Sequence, residues 1–181
     1  PAWLKFGQLR DYQKVGINWL CLAWAKDNNA ILADEMGLGK TVQCVSMLGY
    51  LRHEQHIPGP FLVVVPLSTI PNWVREFRRW TPELSVITYI GDSTSRERIR
   101  EEEWSIGRTR GQSGRKYKFH VLLTTYELVL KDKDYLKKVT WAYFSVSATW
   151  NCLRPSFETV SHSPLVSCCG GKTMGDSKAE L

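Results

Sequence analysis

The sequence predicts an α/β domain, a parallel sheet with helices on both of its faces. Three observations carry that expectation. Short apolar runs alternate with stretches of helical period along most of the chain. One run, Phe61-Leu62-Val63-Val64-Val65, is continuously apolar and rich in β-branched residues, the pattern of a strand buried on both faces. A Gly37-Leu38-Gly39-Lys40-Thr41 turn falls between a strand pattern and a helix pattern. With 181 residues there is room for one domain and no second sizeable core.

The elements follow in order. Leu9, Tyr12, Gly16, Trp19, Leu20 and Ala23 recur at three- and four-residue steps and predict a first helix, closed by the turn cluster Asp27-Asn28-Asn29. Ala30-Ile31-Leu32-Ala33 predicts a short strand, and Gly39 to Arg52 a helix with Val42, Val45, Leu48 and Leu51 inward. The strand Phe61 to Val65 is stopped by Pro66. Ile70, Trp73, Phe77 and Trp80 then mark a helix face, Val86 to Ile90 a strand, and Ser93 to Trp104 a charged helix. Residues 105–118 hold Arg108, Arg110, Arg115, Lys116 and Lys118 with no acid, and read as a solvated loop or as a contact for DNA or an acidic histone surface. His120 to Thr125 predicts a fourth strand, Tyr126 to Leu136 a helix, and Trp141 to Val146 the start of a fifth strand. Trp19, Trp24, Trp73 and Trp80 are all expected in the core.

Near residue 147 the chain changes character. Residues 1–146 carry 21 Lys+Arg against 15 Asp+Glu, which is the whole of the +6 net charge. Residues 147–181 carry three of each, hold Cys152, Cys168 and Cys169, and show no sustained period. They are expected to be loop or disorder beside a folded unit of 1–146. Cys21 and Cys44 complete an odd set of five with no CxxC pair, expected to be free thiols. No apolar run approaches the roughly 18 to 20 residues of a membrane span, no signal peptide is recognisable, and the missing initiator Met suggests a fragment or a chain whose start was trimmed. A cytosolic or nuclear protein is expected, and the modest basic excess permits nucleic acid as a partner without requiring it.

The loop at 37–41 is the sharpest chemical signal. Its glycines let backbone N–H groups close on phosphate oxygens, and the N-terminus of the following helix adds a positive dipole end. Lys40 would reach the β and γ phosphates and the Thr41 hydroxyl would ligate Mg²⁺. A full GxxxxGK[ST] pattern would want glycine at 34, where the chain has Asp34. Asp34-Glu35 is expected to shape the loop rather than to hold metal. A look-alike, Gly170-Gly171-Lys172-Thr173, has no strand pattern before it and no helical period after it, and is read as a chance match.

Four ordered motifs carry a resemblance. Leu9-Arg10-Asp11-Tyr12-Gln13, then Ile31 through Thr41, then Val65-Pro66-Leu67-Ser68-Thr69, then Leu123-Thr124-Thr125-Tyr126-Glu127 are similar to successive motifs of the Snf2-type ATPases of chromatin remodellers, and most of all to the chromodomain-helicase-DNA-binding group. The resemblance covers residues 1–146, and Asp34 is the usual residue there. It implies a RecA-like P-loop NTPase lobe, incomplete in this chain, with ATP and Mg²⁺ as cofactors, DNA and nucleosomes as partners, and the nucleus as location. It also implies that Gln13 reads adenine, a carboxamide being able to bond bidentately to N6 and N7. By residue chemistry alone Gln13 could equally be a solvent-facing helix residue, and Arg10 and Tyr12 are open between packing and nucleotide contact. Ser68, Thr69, Thr124 and Thr125 would hold phosphates of one DNA strand, with helix capping as the other reading of these hydroxyls.

One part of the pattern is missing. The family strand that begins like Trp141-Ala142-Tyr143 runs into Asp-Glu-Ala-His, whose acids hold Mg²⁺ and position the attacking water. That box falls on Ser147-Ala148-Thr149-Trp150, which contains no carboxylate. The second lobe, which supplies arginine fingers in the family, has no counterpart in these residues. A splice variant, frameshift or unspliced intron would produce such a break, and the chain is expected to hydrolyse ATP negligibly.

Overall fold

The computed structural model describes residues 1–104, 117–149 and 165–170. Six strands form one sheet in the order β1 (Ala30–Leu32), β6 (Leu165–Gly170), β5 (Tyr143–Thr149), β2 (Phe61–Val64), β4 (Val121–Thr124) and β3 (Val86–Thr88), and all five pairings are parallel. The helices between them are α1 (Asp11–Ala25), α2 (Lys40–His53), α3 (Ile70–Trp80), α4 (Ser93–Ile99), α5 (Tyr126–Lys131) and α6 (Lys133–Leu136).

The continuous apolar run of β2 has a direct cause in the two cores that flank the sheet. Phe61, Val63 and Val65 pack with Leu20, Met47, Leu48, Trp73 and Phe77 on one face, while Leu62 and Val64 pack with Tyr89, Trp104, Phe119 and Trp141 on the other. Strand side chains alternate between faces, so a strand covered on both must be apolar at every position. The same parity places Tyr143 of β5 in the first core and Phe144 and Val146 in the second. On α3 the buried residues are Ile70, Trp73, Phe77 and Trp80, as the periodicity predicts.

Several expectations need correction. Trp19 is 45% exposed and Tyr12 39%. The helix packs through Gln13, Ile17 and Leu20, and each residue step rotates a side chain by about 100°, which turns Trp19 off that stripe. The predicted helix over 126–136 breaks at Asp132, whose backbone leaves helical geometry (φ −108°, ψ 24°). Its buried carboxylate accepts from Arg96 Nε at 2.6 Å and Tyr89 OH at 2.6 Å, so tertiary bonding overrides local period. The charged helix ends at Ile99 and continues as one π turn, Arg100–Trp104, which delivers Trp104 edge-on to Tyr89 and Phe119. The basic loop lies outside the described residues except at its end, where Tyr117 is buried against Phe119 and Lys118 donates to the Glu102 carbonyl.

The residues after 146 also depart from expectation. β5 continues to Thr149, and residues 165–170 form β6, inside the sheet between β1 and β5. A strand with a neighbour on each side draws its hydrogen bonds from both ladders and needs no amphipathic period of its own, which is why Leu165-Val166-Ser167-Cys168-Cys169-Gly170 gave no periodic signal. Gly170 therefore closes a strand, and the rest of the glycine-rich look-alike lies outside the described residues. Cys44 is disulfide-bonded, against the expectation of free thiols throughout, and Cys21 is free.

At one sheet edge the second core is closed by charge. Asp132 is 7% exposed and takes bonds from Arg96 and Tyr89, with Arg100 also donating to the Tyr89 hydroxyl. Burial alone would raise the Asp132 carboxyl, but the bonds from Arg96 and Tyr89 and the charges of Arg96 and Arg100 outweigh it and hold the group below its ordinary value. The Tyr89 hydroxyl is pushed up to about 12, chiefly by burial. A carboxylate lowered on folding stabilises above its unfolded pKa and loses that contribution as pH falls through the folded one. Asp132→Asn should lower stability by about 3 kcal/mol near neutral pH, because Arg96 is left buried and unpaired. Denaturant titration should show the wild-type advantage shrinking as pH falls below roughly 4.

Candidate nucleotide site and sheet edge

Because every pairing is parallel, the carboxyl ends of the strands share one edge, where ligands of open α/β sheets bind. Leu32 of β1, Cys168 of β6 and Ser147 of β5 stand level in register, and Val146, Val64 and Thr124 form the next row. The loop 33–39 rises from the end of β1 and feeds α2.

Gly37 (φ +90°) and Gly39 (φ +75°) both lie in the left-handed region that side chains disfavour. Gly39 is the N-cap of the 14-residue α2 and no side chain caps that helix, so its first N–H groups are open toward the edge. The Lys40 ammonium donates to the carbonyls of Asp34 at 2.6 Å and Glu35 at 2.7 Å, which curls the loop around it. Gln43, fully buried, donates from Nε2 to Asp34 Oδ2 at 3.1 Å, so Asp34 fixes the loop base as expected. The half-buried Thr41 is the second residue of α2.

Gln13 lies against this loop. It donates from Nε2 to the Leu38 carbonyl at 3.3 Å, its Oε1 accepts from the Arg10 amide at 2.9 Å, and it is 9% exposed, so it is not a solvated helix residue. Gln43 escaped the sequence reading. It shares an inward stripe with Met47 and Leu51, and a glutamine on such a stripe is the signal that marks it.

The hydroxyl residues separate. Ser68 is exposed beyond β2 in the short 3₁₀ turn Leu67–Thr69 and caps no helix, while the Thr69 hydroxyl turns back to the Pro66 carbonyl at 2.8 Å. Thr124 is fully buried and donates to the Tyr89 carbonyl at 2.8 Å, which takes its hydroxyl away from the edge. Thr125 starts α5 at the edge without capping it through its side chain. Three ladder steps of about 4.8 Å separate β1 from β2, so these hydroxyls stand roughly 14 Å or more across the sheet from the phosphate loop.

The donor set suits phosphate better than metal. Among the described residues no group of three His, Cys, Asp or Glu is placed to hold an ion. Positions 147–149 are ladder residues of β5 without a carboxylate, and the Ser147 carbonyl accepts from Tyr126 OH at 2.7 Å. Among the described residues no helix is long and apolar enough to cross a membrane.

The two glycines should respond differently to substitution. An added Cβ at Gly39 would stand 2.5 Å from Gln13 Nε2, whereas at Gly37 it meets nothing within 4 Å. Gly37→Ala should therefore lower stability by about 1 kcal/mol through backbone strain alone, and Gly39→Ala by more. Pairing Gly39→Ala with Gln13→Ala should recover the steric part in a double-mutant cycle read by thermal melting.

Comparison with known proteins agrees with this geometry. Residues 12–147 match the family model of the SNF2-related domain. The chain is 56% identical over 146 residues to "Protein CHROMATIN REMODELING 5" of Arabidopsis thaliana, covering 81% of this chain and 8% of that one. It is 52% identical over 139 residues to chromodomain-helicase-DNA-binding protein 1 of Gallus gallus (77% and 8%). It is 44% identical over 146 residues to SWI/SNF-related matrix-associated actin-dependent regulator of chromatin subfamily A member 1 of Homo sapiens (81% and 13%). The chain thus spans about a tenth of the length of these relatives. The solved SWI2/SNF2 ATPase core of Sulfolobus solfataricus in complex with dsDNA superposes with a TM-score of 0.73 at 27% identity, covering 94% of this chain and 33% of that one. The fold is that of a RecA-like ATPase lobe, and the chain belongs to the SNF2-related domain family.

Proposed function

We propose that this chain is the phosphate-loop part of an ATP-driven DNA translocase of the chromodomain-helicase-DNA-binding kind, working in the nucleus on nucleosomal DNA, and that as written it binds ATP without turning it over. The observation that carries the reading is the uncapped α2 N-terminus behind Gly37 and Gly39, with the Lys40 ammonium already turned into the loop. Backbone N–H groups and Lys40 would take the phosphates, and Gln13, freed from Leu38, would meet adenine. Thr41 is the residue that would touch the nucleotide's Mg²⁺, which supplies charge neutralisation when bound.

Hydrolysis needs a second set of groups. A base or water-positioning carboxylate and metal-holding acids contribute several kcal/mol of transition-state stabilisation, a factor of roughly 10² to 10⁴ in rate. Positions 147–150 offer none. DNA contact falls to the exposed Ser68, with Thr69, Thr124 and the buried Thr125 serving through their backbone positions at the strand ends. The relatives named for chromatin remodelling support the partner and the compartment.

Equilibrium binding of a fluorescent ATP analogue should be measurable for the wild type and at least tenfold weaker for Lys40→Ala. Phosphate release in the presence of duplex DNA should be the same for both proteins. Equal binding by the two would remove the nucleotide site, and DNA-stimulated release above the Lys40→Ala level would show that the missing acids are dispensable.

A further inference from the structure

We infer that Gln43 is a positioning residue of the nucleotide site proposed above, on which this role rests: it holds the loop 33–39 through Asp34 without touching the ligand. Gln43 is fully buried on α2. Its Nε2 donates to Asp34 Oδ2 at 3.1 Å. Its Oε1 has no hydrogen-bond donor among the described residues and lies against Gly16 of α1, where an added Cβ would overlap it. The orientation has a chemical cause, since a carboxylate only accepts and the amide nitrogen must therefore face it. An apolar side chain would fill the same place without leaving a buried polar atom unpaired. What a glutamine adds at position 43 is the bond to Asp34.

Gln13 makes the converse arrangement from α1. Its Nε2 stands 2.5 Å from where a Cβ on Gly39 would lie, and it donates to the Leu38 carbonyl at 3.3 Å. Gln13 and Gly16 are three residues apart on α1, and Gly39 and Gln43 are four apart with the Gln43 amide bonded to the Gly39 carbonyl at 3.0 Å. Residues at these spacings are neighbours on one side of a helix. Two carboxamides thus cross between the elements, each passing over a glycine of the other. Gln43 ties the start of the loop at Asp34, and Gln13 ties its far end at Leu38.

The two ties bracket Lys40. Its ammonium donates to the carbonyls of Asp34 and Glu35, and must leave both to reach a phosphate. The Gln43 bond is then the side-chain tie that stays on Asp34 and keeps the loop start in place while Lys40 turns. A loop already fixed in its binding shape loses less freedom when the ligand arrives. Gly16 belongs to the same device, because any larger residue there would push the Gln43 carboxamide off Asp34.

The test uses Gln43→Met, which keeps the volume and removes the donor, Asp34→Ala, which removes the acceptor, Asp34→Asn, which keeps one, and the Gln43→Met/Asp34→Ala double variant of the full chain. Two readouts are taken: equilibrium binding of a fluorescent ATP analogue, and the rate at which a glutamyl endopeptidase cuts after Glu35 in ligand-free protein. Gln43→Met and Asp34→Ala should each bind roughly tenfold more weakly and be cut faster by a similar factor, with the double variant no worse than either. Asp34→Asn should stay within about threefold of wild type on both readouts, since its carbonyl still accepts from Gln43. A packing role for Gln43 would survive the change to methionine and would not separate the two Asp34 variants. Those Asp34 variants decide the matter alone should Gln43→Met not fold. Gln43→Met equal to wild type on both readouts, losses that multiply in the double variant, or Asp34→Asn as impaired as Asp34→Ala would overturn the role. A wild-type chain that binds no analogue while the cleavage differences hold would overturn the nucleotide site and leave the tether supported.

Discussion

Parallel pairing of β6 with both β1 and β5 is the interaction on which the rest of the arrangement depends. Among the described residues β1 is three residues long, stands at the edge of the sheet, and pairs with β6 alone. The loop 33–39 rises from β1, whose strand pairing runs through β6, while α2 at the loop's other end is held against β2 and α3 by the first core. The four inner and outer strands from β5 to β3 are joined among themselves by ladders that do not involve β6. β6 thus supplies the ladder between β1 and those strands, beside the first-core packing of α2 against β2 and α3, and it comes from the part of the chain outside the family match.

The loop before α2 and the carboxyl end of β5 rest on different strands of the sheet. The groups that would hold phosphate under the proposed function lie on the β1–α2 connection and on α1, and they contact one another through Gln13, Leu38, Gly39, Asp34 and Gln43. The groups that would activate water belong at the end of β5, where the ladder continues through Thr149 with side chains that carry no charge. Under the proposed function, binding and turnover would therefore be separable, because they rest on different strands.

The sequence made the α/β class, the glycine turn between β1 and α2 and most helix faces legible, because burial on both faces of a sheet leaves unbroken apolar runs and a glycine pair can take the left-handed turn that a strand-to-helix connection needs. It misled where tertiary bonding decided the outcome. Asp132 breaks a helix because Arg96 and Tyr89 draw its carboxylate inward, and those partners lie some forty residues away. Thr124 and Thr125 look alike in sequence, yet neighbouring strand residues face opposite ways and the Thr124 hydroxyl is committed to Tyr89. β6 had no periodic signature because its two neighbours, not its own amphipathicity, hold it in place.

Native-state hydrogen exchange on a Ser167→Pro variant tests the dependence of β1 on β6 most directly. Proline at an interior strand position removes a ladder donor and breaks the pairing. The account predicts that the β1 amide that donates to β6 loses protection by an order of magnitude or more while those of Leu62, Val63, Leu122 and Leu123 keep theirs. Unchanged protection at that β1 amide, or equal loss throughout the sheet, would contradict it.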